Sequence, residues 1–294
     1  MRTSPDRLAL TACLATLFML GAGPLSSAQS QNWISQFGTT ATESGARVAG
    51  DGLGGVFVAT NSGAAIFGST NVVLAHHDGS GHQTWTQTLG TAGRDEVWSA
   101  ASDGAGGLLA AGSTSGSLGG PLAGGFDAWI ARFDAAGNQV WLTQLGTTEF
   151  DTCWAVVADG TGGAFACGST DGPLSGTAGL FADAWIGRFD SAGTLVWMRQ
   201  LDSGLVDVAS GLVADGAGSL YVCGHTTEEL FGPRAGNTDA WLARYDVSGS
   251  QLWGLQWGSS EAESFPQVAL NGVDGVFVAG NTTGILGGAS VGES

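Results

Sequence analysis

The chain has 294 residues and a formal net charge of −17, with 51 glycines and 11 tryptophans; it is 43% hydrophobic but only 12% charged. Such hydrophobicity argues against a disordered chain, which would be poor in apolar and aromatic residues. The acidity argues against a nucleic-acid binder, which presents a basic stripe, and every Lys/Arg position is an arginine.

The first 28 residues read as an export signal. Arg2 and Arg7 form a basic start, Leu8 to Leu20 an apolar stretch, and Ser26 to Ala28 a small-residue cleavage site. That stretch falls short of the roughly 20 apolar residues needed to span a bilayer. Leu10 to Cys13 resembles a lipidation box, but the apolar run continues past the cysteine, so cleavage after Ala28 is the expectation. A secreted, periplasmic or cell-surface location follows, with no membrane span in the mature chain.

Beyond the signal the chain repeats itself. DAWIARFDAAGNQVWLTQLG begins at Asp127, DAWIGRFDSAGTLVWMRQLD at Asp183 and DAWLARYDVSGSQLWGLQWG at Asp239, each 56 residues after the last. A degenerate copy starts 56 residues earlier, at Asn71. Asp103, Asp159, Asp215 and Asn271 open a second recurring block, and its first copy at Asp51 lies only 52 residues before Asp103. Each copy holds four short apolar runs separated by Gly-rich turns, and none has the length and 3.6-residue period of a helix. Four antiparallel strands repeated at this length predict the blades of a β-propeller.

The predicted blades cover residues 46–90, 97–146, 153–202 and 209–258, with a partial blade at 265–282. A lone segment, NWISQFG (residues 32–38), matches the last strand of the repeat and is expected to complete the partial blade as a closing latch. The third strand of that blade would begin at residue 295, so a chain truncated before ring closure is expected, with at least five blades in whole or part. Trp85, Trp141, Trp197 and Trp253 form one series at the repeat step, and Trp129, Trp185 and Trp241 a second. Both are expected to pack between blades, an aromatic sugar platform being the alternative. Cys153 and Cys167 are expected on one face of a sheet by their numbering parity, either as a disulfide or as small buried hydrophobes.

These motifs resemble the secreted bacterial β-propeller repeats called SBBP repeats: an aromatic-rich strand ending in Asp-x-x-Gly, a strand ending in Leu-Gly, an acidic loop, and strands around Asp-Gly-x-Gly. The likeness covers roughly residues 32–294. It implies an exported or surface module and no particular activity. Quinoprotein-type repeats and the sialidase Asp box share fragments only, because Asp134-Ala-Ala-Gly137 departs from both.

Of the 25 carboxylates after residue 28, 16 occupy recurring positions. Those opening hairpins are expected to bond turn backbone. A further series, Glu43, Asp95, Asp151, Asp207 and Glu263, precedes the predicted first strands. It is expected either to cap its own loops or to ring one channel mouth as a cation site, calcium being the candidate; no other cofactor is expected. His76 and His77, adjacent in a strand, point to opposite faces, and no histidine set suggests a metal. The expected function is a non-enzymatic binding or scaffold module for an extracellular protein or polysaccharide. Its variable loops, Thr114–Phe126, Thr170–Ala182 and Thr226–Thr238, are the expected contact surface. A glycan-active propeller enzyme and a passive spacer within a larger surface protein are the alternatives.

Overall fold

A computed structural model describes residues 33–36, 38–63, 69–176, 179, 181–272 and 275–286; the expected export signal lies outside them. The described residues form 18 strands and no helix, and none of their segments is a helix long and apolar enough to cross a membrane. Four sheets have four antiparallel strands each, joined in chain order. They are β1 (Thr42–Gly50), β2 (Val56–Gly63), β3 (Thr70–His77) and β4 (Gln83–Leu89); then β5 (Asp95–Ser102), β6 (Leu108–Thr114), β7 (Asp127–Phe133) and β8 (Gln139–Leu145). The third has β9 (Asp151–Ala158), β10 (Ala164–Thr170), β11 (Asp183–Phe189) and β12 (Leu195–Leu201). The fourth has β13 (Asp207–Ala214), β14 (Ser219–Thr226), β15 (Asp239–Asp246) and β16 (Gln251–Trp257). A two-stranded sheet, β17 (Glu263–Leu270) and β18 (Val276–Thr282), follows.

The sheets stack face to face like a fan, with their first strands β1, β5, β9, β13 and β17 adjacent along the inner edge. Four apolar clusters fill the four spaces between successive sheets. The two tryptophan series face opposite ways. Trp129, Trp185 and Trp241, on the third strands, pack back against the preceding sheet; Trp85, Trp141, Trp197 and Trp253, on the fourth, pack forward against the next. Parallel bridges Thr70↔Arg94, Phe126↔Phe150 and Thr238↔Ala262 stitch the first sheet to the second, the second to the third and the fourth to the fifth.

Polar residues build the turns as expected. Oδ1 of Asp103 accepts from Ala105 N (2.8 Å) and Gly107 N (2.7 Å), and Oδ1 of Asp134 accepts from Ala136 N (2.9 Å) and Asn138 N (2.8 Å). An arginine from the third strand then grips the first hairpin: Arg132 holds Asp103 at 2.8 Å, Arg188 holds Asp159 at 2.9 Å and Arg244 holds Asp215 at 3.0 Å. In the first sheet His76 takes that place beside Asp51, at 3.0 Å.

Three expectations need correction. The first strands begin earlier than predicted, on the recurring carboxylate itself, because Asp95 pairs with Thr114, Asp151 with Thr170 and Asp207 with Thr226 at the ladder ends. Cys153 and Cys167 lie on opposite faces of the third sheet: Cys153 joins the cluster shared with the second sheet, Cys167 the cluster shared with the fourth. The cause is a bulge in β9, which pairs Cys153 with Gly168 but Ala155 with Cys167; a one-residue slip reverses the facing of a strand. Both thiols are free, as is that of Cys223. Finally, residues 33–36 and 38 form no strand.

The stack has two uncovered ends. β1 is largely exposed, with Val48 at 52%, whereas β9 and β13 are mostly buried or half-buried. β18 is exposed as well, with Phe277 at 69%. No closed ring is formed among the described residues.

Candidate binding site on the inner edge

Some inner-strand positions with large side chains belong to none of the apolar clusters between sheets and line the inner edge instead. Such a position reads Trp98, Trp154, Ser210 and Pro266 at the repeat step. The two indoles lie 5.1 Å apart, tilted by 49°. Each is fixed from the neighbouring strand: Trp98 Nε1 donates to Ser113 Oγ (3.1 Å) and Trp154 Nε1 to Ser169 Oγ (3.0 Å). Arg47 Nε donates to the Trp98 carbonyl at 2.7 Å, and its guanidinium carbon sits 5.9 Å from the Trp98 ring. Burial pulls the Arg47 pKa down.

Opposite the indoles, Ser210 Oγ donates to Pro266 O (2.7 Å) and Gln267 Nε2 to Ser210 O (3.0 Å). Phe265, 54% exposed, has φ +49°, a left-handed conformation that a non-glycine residue adopts at a cost. Arg47, Trp98, Trp154, Ser210, Phe265 and Gln267 line a cavity of about 640 Å³. Aromatic walls with a few convergent polar groups are the usual make-up of a ligand site. Sequence reasoning passed over Trp98 and Trp154. The available signal was their 56-residue spacing within the run assigned as the innermost strand.

The five recurring carboxylates lie at one end of the stack. All are buried: Glu43 at 8%, Glu263 at 2% and Asp95, Asp151 and Asp207 at 0%. Each accepts the backbone N–H of the residue four positions earlier: Thr39 to Glu43 (2.6 Å), Thr91 to Asp95 (2.6 Å), Thr147 to Asp151 (2.5 Å), Ser203 to Asp207 (2.7 Å) and Ser259 to Glu263 (2.9 Å). The hydroxyls of those same residues add a second bond. Burial raises the pKa of Asp151 and Asp207 despite these bonds, and Asp127 and Asp183 respectively push the same way. For Glu43 the bonds outweigh burial and lower it.

The variable loops share this end, held by a recurring glutamine of the fourth strand. Gln144 Oε1 accepts from Leu118 N (2.8 Å) while Nε2 donates to Asp127 Oδ2 (2.8 Å). Gln200 and Gln256 repeat the clamp on Ser175 N and Leu230 N, both at 2.9 Å. Residues 177, 178 and 180 of the second loop lie outside the described set.

Fold and site together define an all-β repeat protein of blade-like sheets with an aromatic inner cavity. No family model matches the chain. Over 169 residues, 52% of its length, it is 25% identical to the regulatory protein FlaEY of Caulobacter vibrioides, of which the match covers 18%. The chain thus spans under a fifth of that curated relative. A mutant form of the Synechocystis apocarotenoid oxygenase superposes with a TM-score of 0.46 at 12% identity, over 87% of this chain and 60% of that one. For the Pyrococcus horikoshii acylaminoacyl peptidase the TM-score is 0.40 at 10% identity, over 76% and 33%. Likenesses this loose carry no functional inference.

Proposed function

We propose that these sheets are blades of a secreted β-propeller of the SBBP-repeat kind, and that the protein is a non-enzymatic binding module for an extracellular polysaccharide. The observation that carries the reading is the pair of tilted indoles, Trp98 and Trp154, locked by serines within the inner cavity. Rigid aromatic faces beside hydrogen-bonding groups suit a sugar ring, with its apolar face and polar rim. Ring closure is part of the proposal. Trp33 stacks near His77, its centroid 6.0 Å away, and covers Gly81 just as Trp85 covers Gly137. That contact supports a role for the N-terminal segment as the fourth strand of a preceding blade.

A glycan array probed with the mature protein, beside Trp98→Ala and Trp154→Ala variants of unchanged melting temperature, tests this. Binding by the wild type, weakened at least tenfold in both variants, is the expected result. An array on which the wild type binds nothing, or on which the variants bind as well as it does, overturns the polysaccharide assignment and favours a spacer.

A further inference from the structure

We infer a divalent-cation site, of the calcium class, at the junction of the third and fourth sheets, formed by Asp183, Asp202 and Asp207. Each contributes one carboxylate oxygen, and these three oxygens lie within 4.8 Å of one another. Two ligands on opposite sides of a calcium ion, each at about 2.4 Å, are separated by about that distance. The residues come from three places in the fold: Asp183 opens β11, Asp202 follows β12 and Asp207 opens β13.

A second observation points to a ligand. Asp183 is 1% exposed, and while its Oδ2 accepts from Gln200 Nε2 at 2.6 Å, its Oδ1 has no hydrogen-bond partner among the described residues. That oxygen faces the same spot as Asp202: a methyl group added to Gly179 would lie 2.8 Å from Asp183 Oδ1 and 3.4 Å from Asp202 Oδ1. No arginine or histidine forms an ion pair with any of the three among the described residues. A buried carboxylate oxygen without a proton donor or counter-ion is costly, and a cation relieves the cost. Burial and the neighbouring Asp202 charge accordingly raise the Asp183 pKa. Asp202 is exposed, which leaves a route from solvent and room for water to complete the six to eight oxygens that calcium takes.

The repeat supplies its own comparison. The position of Asp202 is glycine in the other sheets, at Gly90, Gly146 and Gly258. Asn71 Oδ1 and Asp127 Oδ1 are likewise without a partner, but they lie against Gly90 and Gly146 rather than a third carboxylate, and Asp239 Oδ1 accepts from Gly236 N at 3.1 Å. Only at the third sheet does the repeat bring three carboxylates together among the described residues.

Calorimetric titration of the mature protein with calcium chloride, paralleled by terbium luminescence excited through tryptophan, tests the inference. The expected result is one site with a dissociation constant on the order of 10⁻⁴ to 10⁻³ M, as in extracellular calcium modules. Asp202→Gly, which restores the residue of the other sheets, is expected to bind at least tenfold more weakly and to keep its melting temperature without calcium. Asp202→Asn serves if the glycine variant fails to fold, since it keeps the shape and removes the charge. Absence of calcium binding by the wild type at millimolar concentration, or equal binding by the folded variant, overturns it. Neither outcome bears on the Trp98 and Trp154 cavity.

Discussion

Trp85 lies across Gly137, so close that a methyl group on that glycine would sit 2.7 Å from the indole Cδ2. Gly137 has φ +83°, and its turn needs the left-handed backbone as well as the missing side chain. Trp141 over Gly193 and Trp197 over Gly249 repeat the contact, so one glycine closes a hairpin and seats the preceding sheet.

Substituting that glycine therefore breaks two things at once. Gly137→Ala is expected to destabilise by about 2–4 kcal/mol, combining a left-handed alanine with an overpacked contact. Gly104→Ala, at φ +77° with open space around it, incurs only the backbone cost of about 1–2 kcal/mol. Chemical denaturation of the two variants checks the difference; equal losses would show that the indole contact contributes nothing.

The arginine grips differ in burial and are expected to differ in value. Asp159 has a fully buried side chain beneath Arg188, so Arg188→Ala should cost about 2 kcal/mol by removing the counter-ion of a carboxylate that keeps only its turn hydrogen bonds. Arg234 and Glu228, 40% and 35% exposed, form a pair worth about 0–1 kcal/mol. Melting temperatures of Arg188→Ala and Arg234→Ala read the contrast directly.

Stability is expected to pass through a maximum in mild acid. Burial raises the folded pKa values of Asp151, Asp183 and Asp207 above the ordinary 3.8, so the folded chain takes up these protons before the unfolded one. Stability then rises as pH falls through those raised values towards 3.8. Asp159 and Asp215 behave oppositely: burial works against them, but turn N–H groups and the arginines outweigh it and lower their values. Their contribution is present above 3.8 and disappears as pH falls through the lowered values. A melting temperature that only declines from neutral pH downward contradicts this, and Asp183→Asn should flatten the initial rise.

The cysteines should be silent in the folded protein. Burial pushes the thiols of Cys153 and Cys167 well up and that of Cys223 to about 12, leaving almost no thiolate at neutral pH. A thiol reagent is expected to label none of the three until guanidinium chloride unfolds the chain. Rapid labelling of the native state would refute the packing described for the third and fourth sheets.

The repeat made the strands, turns and tryptophan packing legible, because periodic Asp, Gly and Trp carry their structural reasons with them. Position within a bulged strand was not legible. The extra residue in β9 defeats the parity rule for Cys153 and Cys167, and such a shift leaves no mark in composition. The cavity escaped because Trp98 and Trp154 resemble core residues until the sheets are set side by side. Asp202 escaped for another reason: it departs from the repeat, and a search for regularity overlooks its exceptions.

Because one tryptophan series faces backward and the other forward, the second, third and fourth sheets each carry a plug on one side and the matching socket on the other. An in-frame duplication or loss of one 56-residue unit would present each new neighbour with a surface it already fits. Such an architecture changes length by whole units without inventing a joint, so variation in unit number among descendants of this gene should be easier to reach than variation in the spacing within a unit.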